Sequence, residues 1–305
     1  KPSSAASDVY KRQGLIRALS NAIPDPRDPS KIEHDQYTML AQRIFGIALG
    51  YEDLNDHDSM RFDPALCAAV GQSASDHPDN FLASSPTLSR FENRVARNHL
   101  IRMSEALIDD FIASHDHPPE SLILDFDATD SIIHGQQEGR YFHGHYDNHC
   151  YLPLYVVCGE ALLVAYLRPS NIDGCKHTRA ILKLLTRKMQ AAWPNVKITI
   201  RADSGFCRWR LLRWCDSHGI GYVIGMAGNP VLKKMAVGLI EDAERLFDKT
   251  QTKQRLFSTV YYGAGKWDRK RRVIVKAEHT EKGSNPRFVV TNVPGDAEYL
   301  YDDIY

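Results

Sequence analysis

Three aspartates that follow short apolar runs are the residues of this chain best suited to chemistry. The run 122–124 predicts a strand buried on both faces; Asp125 follows it directly and Asp127 lies two residues further on. Asp203 ends a second strand-like run at 196–202. Carboxylates delivered by two strand ends can hold a divalent metal ion in a cleft. The alternative is that these aspartates only cap turns, which is a common use of Asp.

The pattern around the two runs predicts the elements that position these carboxylates. The predicted elements are, in order, strands at 152–157 and 162–167 joined by a turn at 158–160, a helix at 173–193, the strand at 196–202, a helix at 207–218 and a strand at 222–226. This order predicts an α/β fold, with a mixed sheet of three antiparallel strands and two later parallel ones.

The segment before the first strand has a helical pattern and is treated as one region, 14–118. Apolar residues at helical spacing predict a helix over 36–49, ended by Gly50. A second helical stretch begins at 84, with one apolar stripe of Leu88, Phe91 and Val95 and another of Leu100, Met103, Leu107 and Phe111. Arg90, Arg94, Arg97 and Arg102 lie off the stripes. The region is either a small DNA-binding module or an ordinary helical subdomain with solvated arginines.

After a helical pattern at 231–247, the sequence pattern of the last part of the chain changes from helical to strand-like. Runs at 255–262, 271–278 and 287–292 alternate like strands, and predict an antiparallel sheet with a basic face outside the main one. We place this β-rich insertion at about 250–295 within a domain spanning 119–305. The run 266–276 holds six Lys or Arg against one Asp. Such a run is either a charged edge strand or a strand that contacts phosphates.

Bulk properties place the chain among ordinary globular proteins. Its 305 residues carry a net charge of zero and 43% hydrophobic residues, and no apolar stretch is long enough to predict a membrane span. Six cysteines without a CxxC pair are typical of reduced thiols. Residues 1–13 look artefactual or disordered and are set aside.

One segment after the first acids is rich in histidine. His134, His143, His145, His149 and Cys150 invite a zinc interpretation, but their spacing matches no compact zinc module. Contact with substrate is the other interpretation. The stretch 135–139, GQQEG, is too short for a phosphate-binding loop and lacks the Lys-Ser/Thr ending.

Several long blocks resemble the DDE transposases of bacterial insertion sequences, and most closely the insertion-sequence family thirteen-eighty. The blocks are RIFGIALGYEDLNDHD, SSPTLSRFEN, LDFDATDSIIHGQQEGRYFHGHYDNHCYLPLYVVCG, LRPSN, AAWPNVKITIRADSGFCR and AEHTEKGSNPRFVVTN. The likeness runs from about residue 44 to the last residue.

The resemblance implies a ribonuclease-H-like core, a helical DNA-binding region before it, and a β-rich insertion before the last catalytic acid. The first two acids match Asp127 and Asp203, which would bind Mg²⁺ or Mn²⁺ in a two-metal site. The third is a Glu in the pattern Tyr, two residues, Arg, three residues, Glu. Tyr305 matches the opening Tyr, and Glu298, Asp302 and Asp303 do not match the Glu. We therefore expect a truncated, catalytically inactive chain.

The resemblance also implies partners. A homodimer in the bacterial cytoplasm would bind insertion-sequence ends and target DNA, with no membrane involved. The residues expected to contact DNA phosphates are Arg201, Arg208, Arg210, Arg213, Lys266, Arg269, Lys270, Arg271 and Arg272. Two alternatives stay open: a metal-dependent nuclease without strand transfer, and a non-catalytic DNA-binding remnant.

Overall fold

The computed structural model describes residues 14–72 and 81–305, so the expectation for residues 1–13 lies outside the described residues. The chain forms two compact units, a helical unit up to Ser114 and a sheet unit from His115 to Tyr305. Within the described ranges, no helix combines the length and apolar character that crossing a membrane requires.

The described part of the helical unit is built from short helices around one apolar core. The helices are α1 (Leu15–Asn21), α2 (Gln36–Ala48), α3 (His57–Met60), α4 (Pro64–Val70), α5 (Ser85–Asn93) and α6 (Arg97–Ala113), with 3-10 turns at Pro29–Lys31 and Leu54–Asp56. The Asp35 side chain caps α2 by accepting from the Thr38 N–H at 2.7 Å. After α2, Gly50 adopts a φ of 91°, which confirms the predicted glycine at its end.

The predicted apolar stripes of the helical unit are only partly confirmed. Leu88 and Phe91 are buried in its core, and the partly buried Val95 packs against that core. In the second stripe Phe111 is buried, but Leu100 is 54% exposed, so its predicted inward position is wrong. Helix α6 begins only at Arg97, and its first turn leaves Leu100 in solvent.

A buried polar cluster links α2 to α3. His57 is fully buried; Gln42 Nε2 lies 3.1 Å from its Nδ1 and Arg43 Nη1 lies 3.0 Å from its Nε2. Gly46 gives the ring room, because a Cβ there would lie 2.7 Å from His57 Cε1. Burial lowers the pKa of His57, and Arg43 lowers it further. The cluster therefore favours a neutral imidazole.

The sheet unit contains a main sheet and a small one. The strands are β1 (Ser121–Ala128), β2 (Ser131–Ile132), β3 (Tyr141–His143), β4 (Asn148–Tyr151), β5 (Leu154–Cys158), β6 (Ala161–Tyr166), β7 (Lys197–Ala202), β8 (Gly221–Met226), β9 (Gln254–Tyr262), β10 (Arg271–Thr280), β11 (Gly283–Ser284) and β12 (Arg287–Thr291). The helices are α7 (Thr178–Ala192), α8 (Trp209–Ser217), α9 (Pro230–Met235), α10 (Val237–Thr250) and α11 (Ala297–Tyr299), which continues as a π-helical turn at Leu300–Ile304.

The centre of the main sheet runs in the order β6-β5-β1-β7-β8. Strand β5 is antiparallel to both β1 and β6, whereas β1, β7 and β8 are mutually parallel. This confirms the predicted mixed sheet of three antiparallel strands and two later parallel ones. If these five strands are numbered 1 to 5 in chain order, their order in the sheet is 3-2-1-4-5, and strand 2 (β5) is antiparallel to the others. This arrangement is consistent with a ribonuclease-H-like fold.

Strands β1 and β7 are held together by matching apolar residues. Leu122, Leu124 and Phe126 are buried and lie in register with Ile198, Ile200 and Ala202. The prediction that β1 is buried on both faces is wrong, because its other face, with Ile123 and Asp125, is only half-buried. That face carries the Asp125 carboxylate, which is ion-paired with Arg201.

The C-terminal strands extend the main sheet. Strand β12 pairs antiparallel with β8, with Val290 opposite Ile224, so one nine-stranded sheet forms. The predicted separate sheet is therefore wrong, although its strands are antiparallel as predicted. The physical reason is that β8 would otherwise leave an open edge of unpaired backbone groups. Ala236 also divides the predicted helix at 231–247 into α9 and α10.

Candidate functional site

Two aspartates occupy the carboxyl end of the main sheet. The last residues of β1 and β7 in register are Phe126 and Ala202, and Asp127 and Asp203 follow them. Parallel neighbouring strands lie about 4.8 Å apart, so both acids lie at one edge of the sheet. The predicted placement of this pair at the ends of neighbouring strands is confirmed. We call this the acid edge.

The acid edge brings like charges together. Burial raises the pKa of the Asp127 carboxyl, and the negative charges of Asp203 and Asp125 raise it further. Asp203 is exposed and accepts a hydrogen bond from the Gly205 N–H at 2.8 Å, which fixes its turn. Among the described residues, no Lys, Arg or His forms an ion pair with either acid of the pair.

The third acid of this region has a different role. Asp125 Oδ2 accepts from Arg201 Nη2 at 2.7 Å, and this hydrogen bond raises the pKa of Arg201. Residues 125 and 201 are in register, and they lie on the face of the strands that Asp127 shares. Arg201, predicted to contact DNA, therefore neutralises Asp125 in this structure. The sequence did not reveal that pairing.

A close backbone approach supports the turn that carries Asp203. At Gly225 of β8, a Cβ would lie 3.0 Å from the Ser204 nitrogen and would collide with the Tyr305 hydroxyl. Phe206 is buried behind this turn, with its ring 6.4 Å from that of Phe126. The absence of a side chain at Gly225 therefore lets β8 reach the acid edge.

A cleft of about 630 Å³ opens from Asp203 along the C-terminal strands. Its cationic lining residues are Lys253, Lys276 and Arg287, and its aromatic ones are Phe288, Tyr301 and Tyr305. Glu278 Oε2 holds Lys253 Nζ at 2.9 Å and Lys276 Nζ at 3.1 Å. None of these cations except Lys276 lies in the basic run noted in the sequence. Their positions depend on how β10 and β12 pair, and no local signal indicated them.

The basic run 266–276 is divided between the two ends of the sheet. Lys276 lies in the cleft beside Asp203, whereas Arg272 is level with Val223, near the start of β8. Arg272 donates to the Val293 carbonyl at 3.3 Å and to the Gly295 carbonyl at 2.8 Å. Lys266, Arg269 and Lys270 are exposed near that opposite end.

Arg271 belongs to the interior of the molecule. Its side chain is only 2% exposed, and its Nη2 lies 2.8 Å from Asp216 Oδ2 and 2.9 Å from Asp268 Oδ1. Its Nε also donates to the Tyr222 hydroxyl at 3.1 Å. A buried guanidinium in such a network cannot reach a phosphate. We therefore leave Arg271 out of the surface that could bind DNA.

Helix α8 carries the remaining predicted arginines. Arg208, just before the helix, pairs with Asp173 at 2.8 Å, and Arg210 and Arg213 are exposed. The inner positions Leu211, Leu212 and Cys215 are buried, as their helical spacing predicts. The basic side chains of α8 are thus left in solvent.

The histidine-rich segment forms the small three-stranded sheet β2-β4-β3. Cys150 is buried, and the rings of His143 and His145 are 6.4 Å apart. Among the described residues, no three His, Cys, Asp or Glu side chains are grouped to hold a metal ion.

A family model described as "Transposase DDE domain group 1" matches residues 6–305. No curated protein matches the chain. Among solved structures, the chain is similar to one titled "Cryo-EM structure of piggyBac transposase synaptic complex with hairpin DNA (SNHP)", with 10% sequence identity and a TM-score of 0.44. The alignment covers 97% of this chain and 63% of that chain, so this chain spans less than two thirds of its length.

Proposed function

The chain belongs to the transposase DDE domain group 1 family, and on that premise we propose that it is a DNA transposase of an insertion sequence. The reaction would cut the phosphodiester bond at the element's ends and join the freed 3′ hydroxyl to target DNA. The observation that carries the proposal is the placement of Asp127 and Asp203 at the ends of neighbouring parallel strands.

The acid pair is suited to hold divalent metal ions, Mg²⁺ or Mn²⁺. Burial raises the pKa of Asp127 and the like charge of Asp203 raises it further. A cation between the two carboxylates would relieve their mutual repulsion. Bound metal would activate the attacking oxygen and stabilise the leaving oxygen of the phosphoryl group. The chain's own contribution is to hold the two carboxylates at one edge and to keep Asp125 neutralised by Arg201.

DNA would approach across the acid edge and the surfaces on either side of it. We assign phosphate contacts to the exposed cations of α8 and its start, Arg208, Arg210 and Arg213, and to Lys266, Arg269, Lys270 and Arg272. Lys253 and Arg287 of the cleft beside Asp203 join this set. Arg201 and Arg271 are left out of this set because they are paired with Asp125 and Asp216, respectively.

Further parts of the proposal rest on the resemblance in sequence. A third carboxylate, a Glu following the pattern that Tyr305 opens, would complete the two-metal site. The protein would act as a homodimer on paired DNA ends in the bacterial cytoplasm.

Metal and DNA binding by single variants test the proposal. Asp127→Asn and Asp203→Asn are each expected to weaken Mn²⁺ binding by more than about tenfold. Mutating even a residue that only contacts a metal ligand typically lowers metal affinity by about that factor. DNA binding in the absence of metal should stay unchanged. Asp130→Asn is the matched control, because Asp130 lies beyond the end of β1. Equal Mn²⁺ affinity in all three variants would contradict the assignment.

Cleavage assays separate the finer alternatives. The 305-residue chain and a version continued through the expected Glu are compared on insertion-sequence ends in Mg²⁺ or Mn²⁺. A transposase should show metal-dependent cleavage and strand transfer, and both should be lost in Asp127→Ala or Asp203→Ala. Activity found only in the longer version would assign the third ligand to the added Glu. Cleavage without strand transfer would instead favour a nuclease, and robust cleavage by the 305-residue chain would mean that an acid inside it fills the third place.

A further inference from the structure

The small sheet formed by residues 131–151, which we call the flap, has no role in the chemistry described so far. Side-chain hydrogen bonds join it to the rest of the sheet unit. The Ser170 hydroxyl donates to the Tyr141 carbonyl at 2.8 Å, and the Tyr146 hydroxyl donates to the Ala128 carbonyl at 3.2 Å. The flap therefore has a defined position next to the end of β1.

Tyr146 places one side of the flap at the acid edge. Its hydrogen-bond partner, Ala128, follows Asp127 directly. Burial raises the pKa of the Tyr146 phenol, and the charges of Asp130, Asp127 and Asp203 raise it further, which is consistent with this closeness. The rings of His143 and His145 pack against Tyr146 with centroids 4.9 and 5.0 Å away. A group of aromatic rings thus borders the carboxylates.

The flap also exposes two large aromatic side chains. Phe142 is 54% exposed and Tyr141 is 45% exposed. Phe142 contacts His149 across the β3–β4 pair in an edge-on arrangement, with centroids 5.6 Å apart. Large exposed rings cost solvation free energy, so their concentration beside a reaction centre indicates a ligand.

The charge of the flap indicates which part of a nucleic acid it would contact. Its residues include one Arg, Arg140, against Glu138 and Asp147, so it has no surplus of cations for phosphates. Bases, in contrast, are uncharged and stack on aromatic side chains, each stacked base contributing about 1–3 kcal/mol. A base within a duplex is already stacked on its neighbours, whereas an unpaired base has a free face.

We propose that the flap binds unpaired bases of the DNA strand that flanks the scissile phosphate, by stacking them on its exposed rings. The proposal rests on the transposase function argued above and adds a feature of its substrate. Phosphates on either side would remain with the basic surfaces, and the flap would distinguish an opened DNA end from an uninterrupted duplex.

Binding of two DNAs tests the proposal. One is a fully paired duplex, and the other is the same duplex with a short unpaired stretch that carries the fluorescent base 2-aminopurine. We expect the wild-type 305-residue chain to bind the second about tenfold more tightly, consistent with one stacked base, and to quench its fluorescence. Phe142→Ala should lose both the preference and the quenching, with unchanged affinity for the paired duplex.

Matched variants keep the outcome interpretable. Phe142→Trp should retain the preference, whereas Phe142→Leu, which keeps an apolar side chain but no ring, should lose it even if Phe142→Ala fails to fold. Leu162→Ala is the control, since Leu162 is an exposed apolar residue of β6 outside the flap. A wild-type chain without the preference, or a Phe142→Leu variant that keeps it, would overturn the flap proposal alone. Absence of binding to either DNA would overturn the transposase proposal as well.

Discussion

The two ends of the main sheet use the same kinds of side chain in opposite ways. At the carboxyl end of β1 and β7, Asp127 and Asp203 lie side by side, with no ion-pair partner among the described residues. Near the start of β8, Asp216 is paired with both Arg269 and Arg271 at 2.8 Å. The paired end stabilises the fold, whereas the acid edge keeps charges in a less favourable arrangement that a metal ion could relieve.

The difference shows that the number of charged residues in a segment does not identify a binding surface. The basic run 266–276 has the stronger charge signal in the sequence, yet Arg271 and Lys276 within it are buried and paired. The acid edge has a weaker local signal, but its charges are unpaired and accessible. Unpaired like charges are tolerated mainly where function requires them.

The largest effect should come from breaking the paired end. Arg271→Ala removes the cation from a network in which Asp216 is nearly buried, and is expected to lower the free energy of unfolding by about 3–5 kcal/mol. Arg269→Ala removes an arginine that is 57% exposed, and should cost less than about 1 kcal/mol. Chemical denaturation of both variants measures this. A similar loss of unfolding free energy in both variants would show that the buried and the exposed arginine contribute equally.

The second effect concerns the support of the acid edge. Gly225→Ala would place a methyl group against Ser204 and Tyr305, and we expect a loss of about 1–3 kcal/mol together with weaker Mn²⁺ binding. Gly238→Ala is the control, because a Cβ there meets nothing within 4 Å and alanine favours the helix. The variants are compared by thermal unfolding and metal titration. Undiminished Mn²⁺ affinity in Gly225→Ala would show that the turn can shift freely.

A third, smaller effect tests whether the acid edge is unfavourable without metal. The folded-state pKa of Asp127 is raised, so the folded protein binds this proton more tightly than the unfolded chain does. The ionised carboxylate therefore lowers stability above the folded pKa, and this penalty disappears as the pH falls below the unfolded pKa. Asp127→Asn should stabilise the metal-free protein at pH 7 and have no effect in acid. Destabilisation by Asp127→Asn at pH 7 would contradict this account.

The smallest effect on stability is expected at an exposed pair. Arg208 and Asp173 are each about half exposed, so Arg208→Ala should change the free energy of unfolding by less than about 1 kcal/mol. If Arg208 contacts a phosphate, the salt dependence of DNA binding should fall by about one charge. A titration of DNA affinity against salt concentration measures this slope. The Arg271→Ala variant is not used for comparison, because we expect it to be destabilised. An unchanged slope would remove Arg208 from the proposed DNA surface.

Much of the architecture could be predicted from local patterns. Apolar runs located β1, β7 and β8, and helical spacing located α2, α7 and α8 with errors of a few residues at their ends. Burial of alternate residues and capping by residues such as Asp35 are properties of short segments, so the sequence alone reveals them. The placement of Asp127 and Asp203 at strand ends followed from the same reasoning.

Other features depended on which segments became neighbours. The pairing of β12 with β8 merged the predicted separate sheet into the main one, buried Arg271 against Asp216 and brought Lys253 and Arg287 into the cleft beside Asp203. The hydrogen bond from Tyr146 to Ala128 likewise placed the flap at the acid edge. The sequence determined the strands and the aspartates that end them, because both are local. Only the tertiary structure decided which charges are paired, because pairing requires contact between residues far apart in the chain.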